Sequence, residues 1–187
     1  MKSKLIGFLG APCSGKSTLA SEVHTKLKII NKNSIFIPEA ATDYIAEFGI
    51  PNTAMDQMTI FQKQLDREKR YIGAKEYIIC DSSSILNYFY FRNLFPKKPI
   101  KNNVATINNI QKEILFSLEN WNHLFYVPPI YIDDEKDGIR FHNKEAIAKI
   151  DNNIKAYLDI ENIEYTDLSK YKLNERIDVI IDIICKN

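Results

Sequence analysis

The segment Gly10-Ala11-Pro12-Cys13-Ser14-Gly15-Lys16-Ser17 follows the apolar run Leu5-Ile6-Gly7-Phe8-Leu9 directly and leads into a helical pattern reaching about Leu27. A chain that enters a loop of the form G-x-x-x-x-G-K-[ST] as a strand and leaves it as a helix has few folds open to it. Glycine at both ends lets the backbone turn tightly, so that consecutive N–H groups point inward and the following helix adds its positive end. Such a concave array of donors suits phosphate oxygens. A chance match in a chain of 187 residues has a probability of roughly one per cent at ordinary residue frequencies, and the strand-to-helix setting sharpens it. Gly10, Cys13, Ser14, Gly15, Lys16, Ser17 and Thr18 then cradle the phosphates of ATP. Lys16 neutralises charge on the transferred group and the Ser17 hydroxyl ligates Mg²⁺.

Strands alternate with amphipathic helices along the whole sequence, which predicts an α/β architecture of three layers: a five-stranded parallel sheet flanked by helices. The strands are expected at 5–10, 34–38, 76–80, 123–127 and around 163–168. Helices are expected from about Gly15 to Leu27 and from Ala40 to Phe48, and a third starts near Thr53. Asp56 stands three residues after Thr53, as in a capping box. The third helix carries Met55, Met58, Phe61, Leu65 and Ile72 on one stripe. Further helices carry Val104, Ile107, Ile110, Ile114 and Leu118, then Ile147, Ile150, Ile154 and Leu158, then Ile177, Ile180, Ile181 and Ile184. With no repeat and no linker, residues 1–187 read as one domain.

Twenty-five basic residues nearly cancel twenty-four acidic ones, for a formal net charge of +1. A field that weak argues against nucleic acid as the partner and gives no reason to expect a membrane surface. Three cysteines, Cys13, Cys80 and Cys185, fit neither a disulfide framework nor a zinc site and suit a reducing compartment. The first apolar run is too short for a signal peptide, and no stretch approaches the roughly 20 apolar residues that span a bilayer. The expectation is a soluble cytoplasmic protein, with homodimerisation left open.

Ligands of open parallel sheets bind outside the carboxyl ends of the strands. Glu39 and Asp81 stand there, one after Ile35-Phe36-Ile37-Pro38 and one after Tyr77-Ile78-Ile79-Cys80. Asp81 suits a metal-holding acid, and serves equally as an N-cap for the helix that follows. Glu39 suits a base for an acceptor hydroxyl, or a first-turn acid on the helix dipole. Arg140, in the polar stretch Asp137-Gly138-Ile139-Arg140, is a candidate lid arginine within a loop around 131–142; the same stretch reads as a solvated turn. Lys97, Lys98 and Lys101 lie beside prolines in what reads as an exposed loop, and Tyr88 to Phe91 suits core as well as base stacking.

The phosphate loop Gly10 to Thr18, the acid in Glu39-Ala40-Ala41-Thr42-Asp43-Tyr44, the strand ending Cys80-Asp81, Asp137 to Arg140 and Glu161-Asn162-Ile163-Glu164-Tyr165 together resemble the P-loop kinases of the ribosylnicotinamide kinase type. The resemblance covers most of the chain and implies a three-layer P-loop NTPase fold with a nucleoside-kinase-like core. It implies ATP as donor and transfer to a hydroxyl or phosphate of a nucleoside- or nucleotide-like acceptor. Glu39 would lie near that acceptor, Asp81 near Mg²⁺ and Arg140 on the lid. Members of the group carry an arginine three residues after the strand-two acid, where this chain has Thr42, so its acceptor is expected to differ. Gln62 and Gln64 lie on the next helix, where related kinases offer an amide to a base; the pair reads equally as an ordinary exposed helix face. A P-loop ATPase or switch, or a kinase of nucleic acid ends or modified bases, stands as the alternative.

Overall fold

The computed structural model of the chain describes residues 2–94, 120–130 and 144–186. The expected helix over 104–118, the Lys97 to Lys101 loop and the 131–142 lid lie outside those residues. Strand β1 (Lys4–Leu9) is apolar on both faces and occupies the centre of the sheet. It pairs on one side with β3 (Tyr77–Cys80) and on the other with β4 (Trp121–Tyr126). Strand β2 (Ser34–Ile37) lies outside β3 and β5 (Thr166–Asp167) outside β4, giving the order β2-β3-β1-β4-β5 with every pairing parallel. The sheet therefore presents the residues after Leu9, Ile37, Cys80 and Tyr126 along one edge.

Alternation along the strands divides the interior into two layers. Ile6 and Phe8 project toward α1 (Lys16–Ile29) and α6 (Arg176–Lys186), where Leu19, Val23, Leu27, Ile180 and Ile184 are buried against them. On the other face Leu9 joins residues of α3 (Ala54–Lys69), α4 (Ser84–Leu94) and α5 (Lys144–Ile160): Phe61, Leu65, Ile85, Phe89 and Leu158. Helix α2 (Ala40–Phe48) connects β2 to α3. Each fully buried aliphatic or aromatic side chain stabilises the fold by about 1.5–3 kcal/mol relative to exposure. Gly7 leaves room for Trp121, whose ring carbon would lie 2.5 Å from a Cβ at that position. Cys80 is buried in the sheet, and all three cysteines are free thiols.

The capping box forms as its residues predict: Thr53 Oγ1 accepts from Asp56 N at 3.2 Å and Asp56 Oδ2 accepts from Thr53 N at 2.8 Å. Three expectations change. Met55 and Ile72 are exposed, Ile72 lying past the end of α3, and the buried face of the helix adds the polar residues Gln57, Gln64 and Glu68 to Met58, Ile60, Phe61 and Leu65. Strand β4 begins two residues early, at Trp121. Strand β5 is only two residues long. On one side of it, Asn162 takes a left-handed turn (φ 53°) and Ile163 N closes back on Leu158 O at 2.9 Å. On the other, the Asp167 side chain accepts from Ser169 N at 2.8 Å and starts a 3₁₀ turn.

Candidate active site

The loop between β1 and α1 holds three residues with positive φ: Gly10 at 150°, Cys13 at 60° and Gly15 at 84°. At Gly10 the requirement is also steric, since a Cβ there would stand 2.4 Å from the Val127 carbonyl oxygen just past β4. Cys13 pays a strain that non-glycine residues rarely carry outside functional turns. Gly15 is the N-cap of α1 and supplies no side-chain cap, and the first turn of α1 contains no acidic residue. The first bond of the helix is Leu19 N to Gly15 O at 3.0 Å. The amides of Lys16, Ser17 and Thr18 precede it and are available to an anion.

The Lys16 ammonium folds onto this loop, donating to the carbonyl oxygens of Gly10 at 3.0 Å and Ala11 at 2.9 Å and to Ser14 Oγ at 3.4 Å. Burial pushes its pKa below the ordinary lysine value, while the carboxylates of Glu39, Asp81 and Asp151 pull it back up. Among the described residues Lys16 forms no ion pair. A half-buried cation held by neutral oxygens, beside amides with no internal anion, fits the phosphates of a nucleotide.

Asp81 is buried just beyond β3, where its amide donates to Ile37 O at 3.0 Å. Burial raises its carboxyl pKa and Glu39 adds to the rise; the Ser17 hydroxyl, hydrogen-bonded to it, and Lys16 oppose that. At the start of α4 it is Glu68 that accepts from Ser84 N, at 2.7 Å. Among the described residues no group of three or more His, Cys, Asp or Glu side chains could hold a metal. One carboxylate beside one hydroxyl is nevertheless the hard-oxygen set that fits Mg²⁺, an ion that keeps several waters and takes further oxygens from phosphates.

Glu39 is the extended N-cap residue of α2 (φ −65°, ψ 129°), yet its side chain makes no capping bond. The acid in the first turn of α2 is Asp43, which forms an ion pair with Arg67. Glu39 is thus not spent on the helix end. Arg140 lies outside the described residues. Tyr88 and Phe89 are core, packed on Tyr157.

Near these residues stand one group that sequence reading missed, Asp151, and one that it placed in a different role, Gln64. Asp151 on α5 is buried and receives the Tyr126 hydroxyl at 2.6 Å from each carboxylate oxygen. Its signal was its place on the apolar face Ile147, Ile154, Leu158, where an acid is out of character. Gln64 is the other. Its amide is fully buried, accepting from Ala40 N at 2.9 Å and donating to Ser82 O at 3.2 Å, so it is occupied by backbone rather than offered to a base.

A family model described as AAA domain matches residues 5–176. A search of curated proteins finds no match. Among solved structures, the crystal structure of NadR protein in complex with NR is similar over 96% of this chain, with a TM-score of 0.74 and 18% identity. The chain spans 50% of the length of that NadR chain. Deoxyadenosine kinase from M. mycoides with bound dATP gives a TM-score of 0.63 at 12% identity over 97% of this chain and 99% of that one. The APS kinase CysC of Mycobacterium tuberculosis gives 0.53 at 11% identity, over 98% and 99%. Likeness at such identities establishes the fold, the three-layer α/β arrangement of P-loop kinases, in agreement with the sheet and loop described above. No helix among the described residues is long and apolar enough to cross a membrane.

Proposed function

This chain belongs to the AAA domain family, whose model spans residues 5–176, and from that premise we propose that it is a phosphotransferase moving the γ-phosphate of ATP to a hydroxyl or phosphate of a nucleoside- or nucleotide-like small molecule. The observation that carries this reading is that Lys16, Glu39 and Asp81 follow the carboxyl ends of three adjacent strands, β1, β2 and β3, at one edge of the sheet. The NadR structure, in complex with NR, and the M. mycoides deoxyadenosine kinase structure, with bound dATP, share that fold.

In this mechanism Gly10, Cys13, Ser14 and Gly15 shape the loop whose amides, with those of Lys16, Ser17 and Thr18, hold the phosphates. Lys16 releases its loop carbonyls and takes phosphate oxygens, an exchange helped by the burial of its ammonium. Ser17 and Asp81 would hold Mg²⁺, which when bound neutralises phosphate charge. Glu39 accepts the proton of the acceptor hydroxyl, and Arg140 is assigned to the lid on its sequence alone. Near-zero net charge counts against a nucleic acid acceptor.

The test is ATP consumption against a panel of nucleosides, ribosylnicotinamide and nucleoside monophosphates, with product masses recorded. One acceptor gaining one phosphoryl group is the expected result. Release of ADP that no acceptor accelerates would instead favour an ATPase. Lys16→Ala is expected to abolish transfer. Glu39→Gln should lower kcat by roughly 10²-fold or more, the usual worth of a positioned base, with ATP binding retained; full turnover in that variant would remove Glu39 from the mechanism.

A further inference from the structure

Beyond Ile37 and Cys80 the chains of β2 and β3 separate: the last bond between them is Asp81 N to Ile37 O at 3.0 Å. The two acids of the site stand where that ladder has ended, so sheet hydrogen bonding alone does not set the distance between them. What spans the gap is a side chain from α3. The Gln64 amide oxygen receives Ala40 N at 2.9 Å, one residue past Glu39, and its nitrogen reaches Ser82 O at 3.2 Å, one residue past Asp81. Because a peptide unit is planar, holding the Ala40 N–H orients the Glu39 carbonyl and its Cα, and holding the Ser82 carbonyl restrains the backbone just after Asp81. One turn along α3, Glu68 hydrogen-bonds Gln64 and accepts from Ser84 N at 2.7 Å, tying the same post-β3 loop a second time.

An amide with no exposed surface is costly unless both of its halves are bonded, and leucine or methionine would fill the volume without that requirement. Here both halves are bonded, and both to backbone that carries a site acid. We propose that Gln64 is a positioning residue that fixes the separation and aim of Glu39 and Asp81. The assignment of chemical roles to those two acids rests on the phosphotransfer reading above; the clamp itself does not.

Gln64→Met keeps length and burial and removes both backbone bonds together with the one to Glu68; Gln64→Asn keeps the amide but is one methylene too short to span both backbone partners. The effect expected is that of removing a group that orients metal ligands, roughly 10–100-fold. Two readouts are needed. Manganese(II) affinity of the ADP complex, by electron paramagnetic resonance, is expected to weaken by about 10-fold or more in both variants, while ADP affinity without metal stays within about twofold because the phosphate loop is untouched. With an acceptor in hand, kcat is expected to fall in the same range with KM for ATP nearly constant. Unchanged metal affinity overturns the clamp. A parallel loss of metal-free ADP affinity, or failure of both variants to fold, makes Gln64 a structural support and also overturns it. Should the wild-type protein phosphorylate no acceptor, the phosphotransfer reading falls and the manganese titration still decides the clamp.

Discussion

Gly10 and Gly49 both hold positive φ, 150° and 83°, yet they answer to different demands. A Cβ at Gly49 would meet nothing within 4 Å, whereas at Gly10 it would meet the Val127 carbonyl oxygen at 2.4 Å and Ser14 Oγ at 3.0 Å. Gly49→Ala is therefore expected to cost only the backbone strain of the glycine-favouring region that φ 83°, ψ −173° occupies, about 1–3 kcal/mol. Gly10→Ala adds a clash with backbone and should cost several kcal/mol in all, with nucleotide affinity lost as the loop shifts. Urea denaturation of the two variants checks the order; equal costs would mean that the loop does not lean on the end of β4. The same residue-level contrast explains what a reader of the sequence can see. Gly10, Gly15, Lys16 and Ser17 announce themselves by spacing, because a phosphate loop is built from contiguous residues. Gln64 and Asp151 do not, because their partners, Ala40, Ser82 and Tyr126, are 18 to 25 residues away or are backbone groups that carry no sequence signal.

Helix α3 shows where element-level reading succeeds and where it stops. Its start was legible because a capping box is local chemistry, four residues long. Its buried face was not, since Gln57, Gln64 and Glu68 are buried for their partners and a count of apolar residues passes over them. Strand β5 is shorter than its sequence suggests for a related reason: 163–168 is apolar enough for a strand, and only its flanking turns shorten it. Both ends of α3 titrate. Asp56, held by the Asn52 and Thr53 amides and the Tyr44 hydroxyl, has its pKa lowered to about 2, so its support for the helix is complete above about pH 4 and fades toward about pH 2. Glu68 runs the other way: burial raises its pKa to about 8, against the pull of Ser84, Gln64 and Lys69. Its folded pKa lies above the unfolded value, so its contribution is full below about pH 4.5 and is lost as pH rises through about 8. Glu68→Gln, which still offers an oxygen to Ser84 N, should flatten the fall in urea midpoint across that interval, a difference of a few kcal/mol at the alkaline end. An unchanged slope would show that Glu68 ionises freely in the folded protein.

At the scale of the whole molecule, both layers of core rest on the same five strands, and the phosphate loop joins the central strand to the helix that packs one of those layers. Ligand binding at the loop therefore acts on the cooperative unit and not on a detachable appendage. A ligand at 100 times its Kd adds about 2.7 kcal/mol to the free energy of unfolding. For a chain of this size one kcal/mol moves the thermal midpoint by about 2–4 °C, so Mg·ADP should raise it by about 5–11 °C. Lys16→Ala should lose most of that rise. The unliganded variant should melt near the wild-type temperature, because the substitution removes a partly buried ammonium bonded to neutral loop oxygens. Scanning calorimetry of both proteins with and without Mg·ADP separates the two effects. A full ligand shift in Lys16→Ala would place the nucleotide somewhere other than the β1–α1 loop, whereas a lower unliganded midpoint would make Lys16 a structural tie for that loop as well as a phosphate ligand.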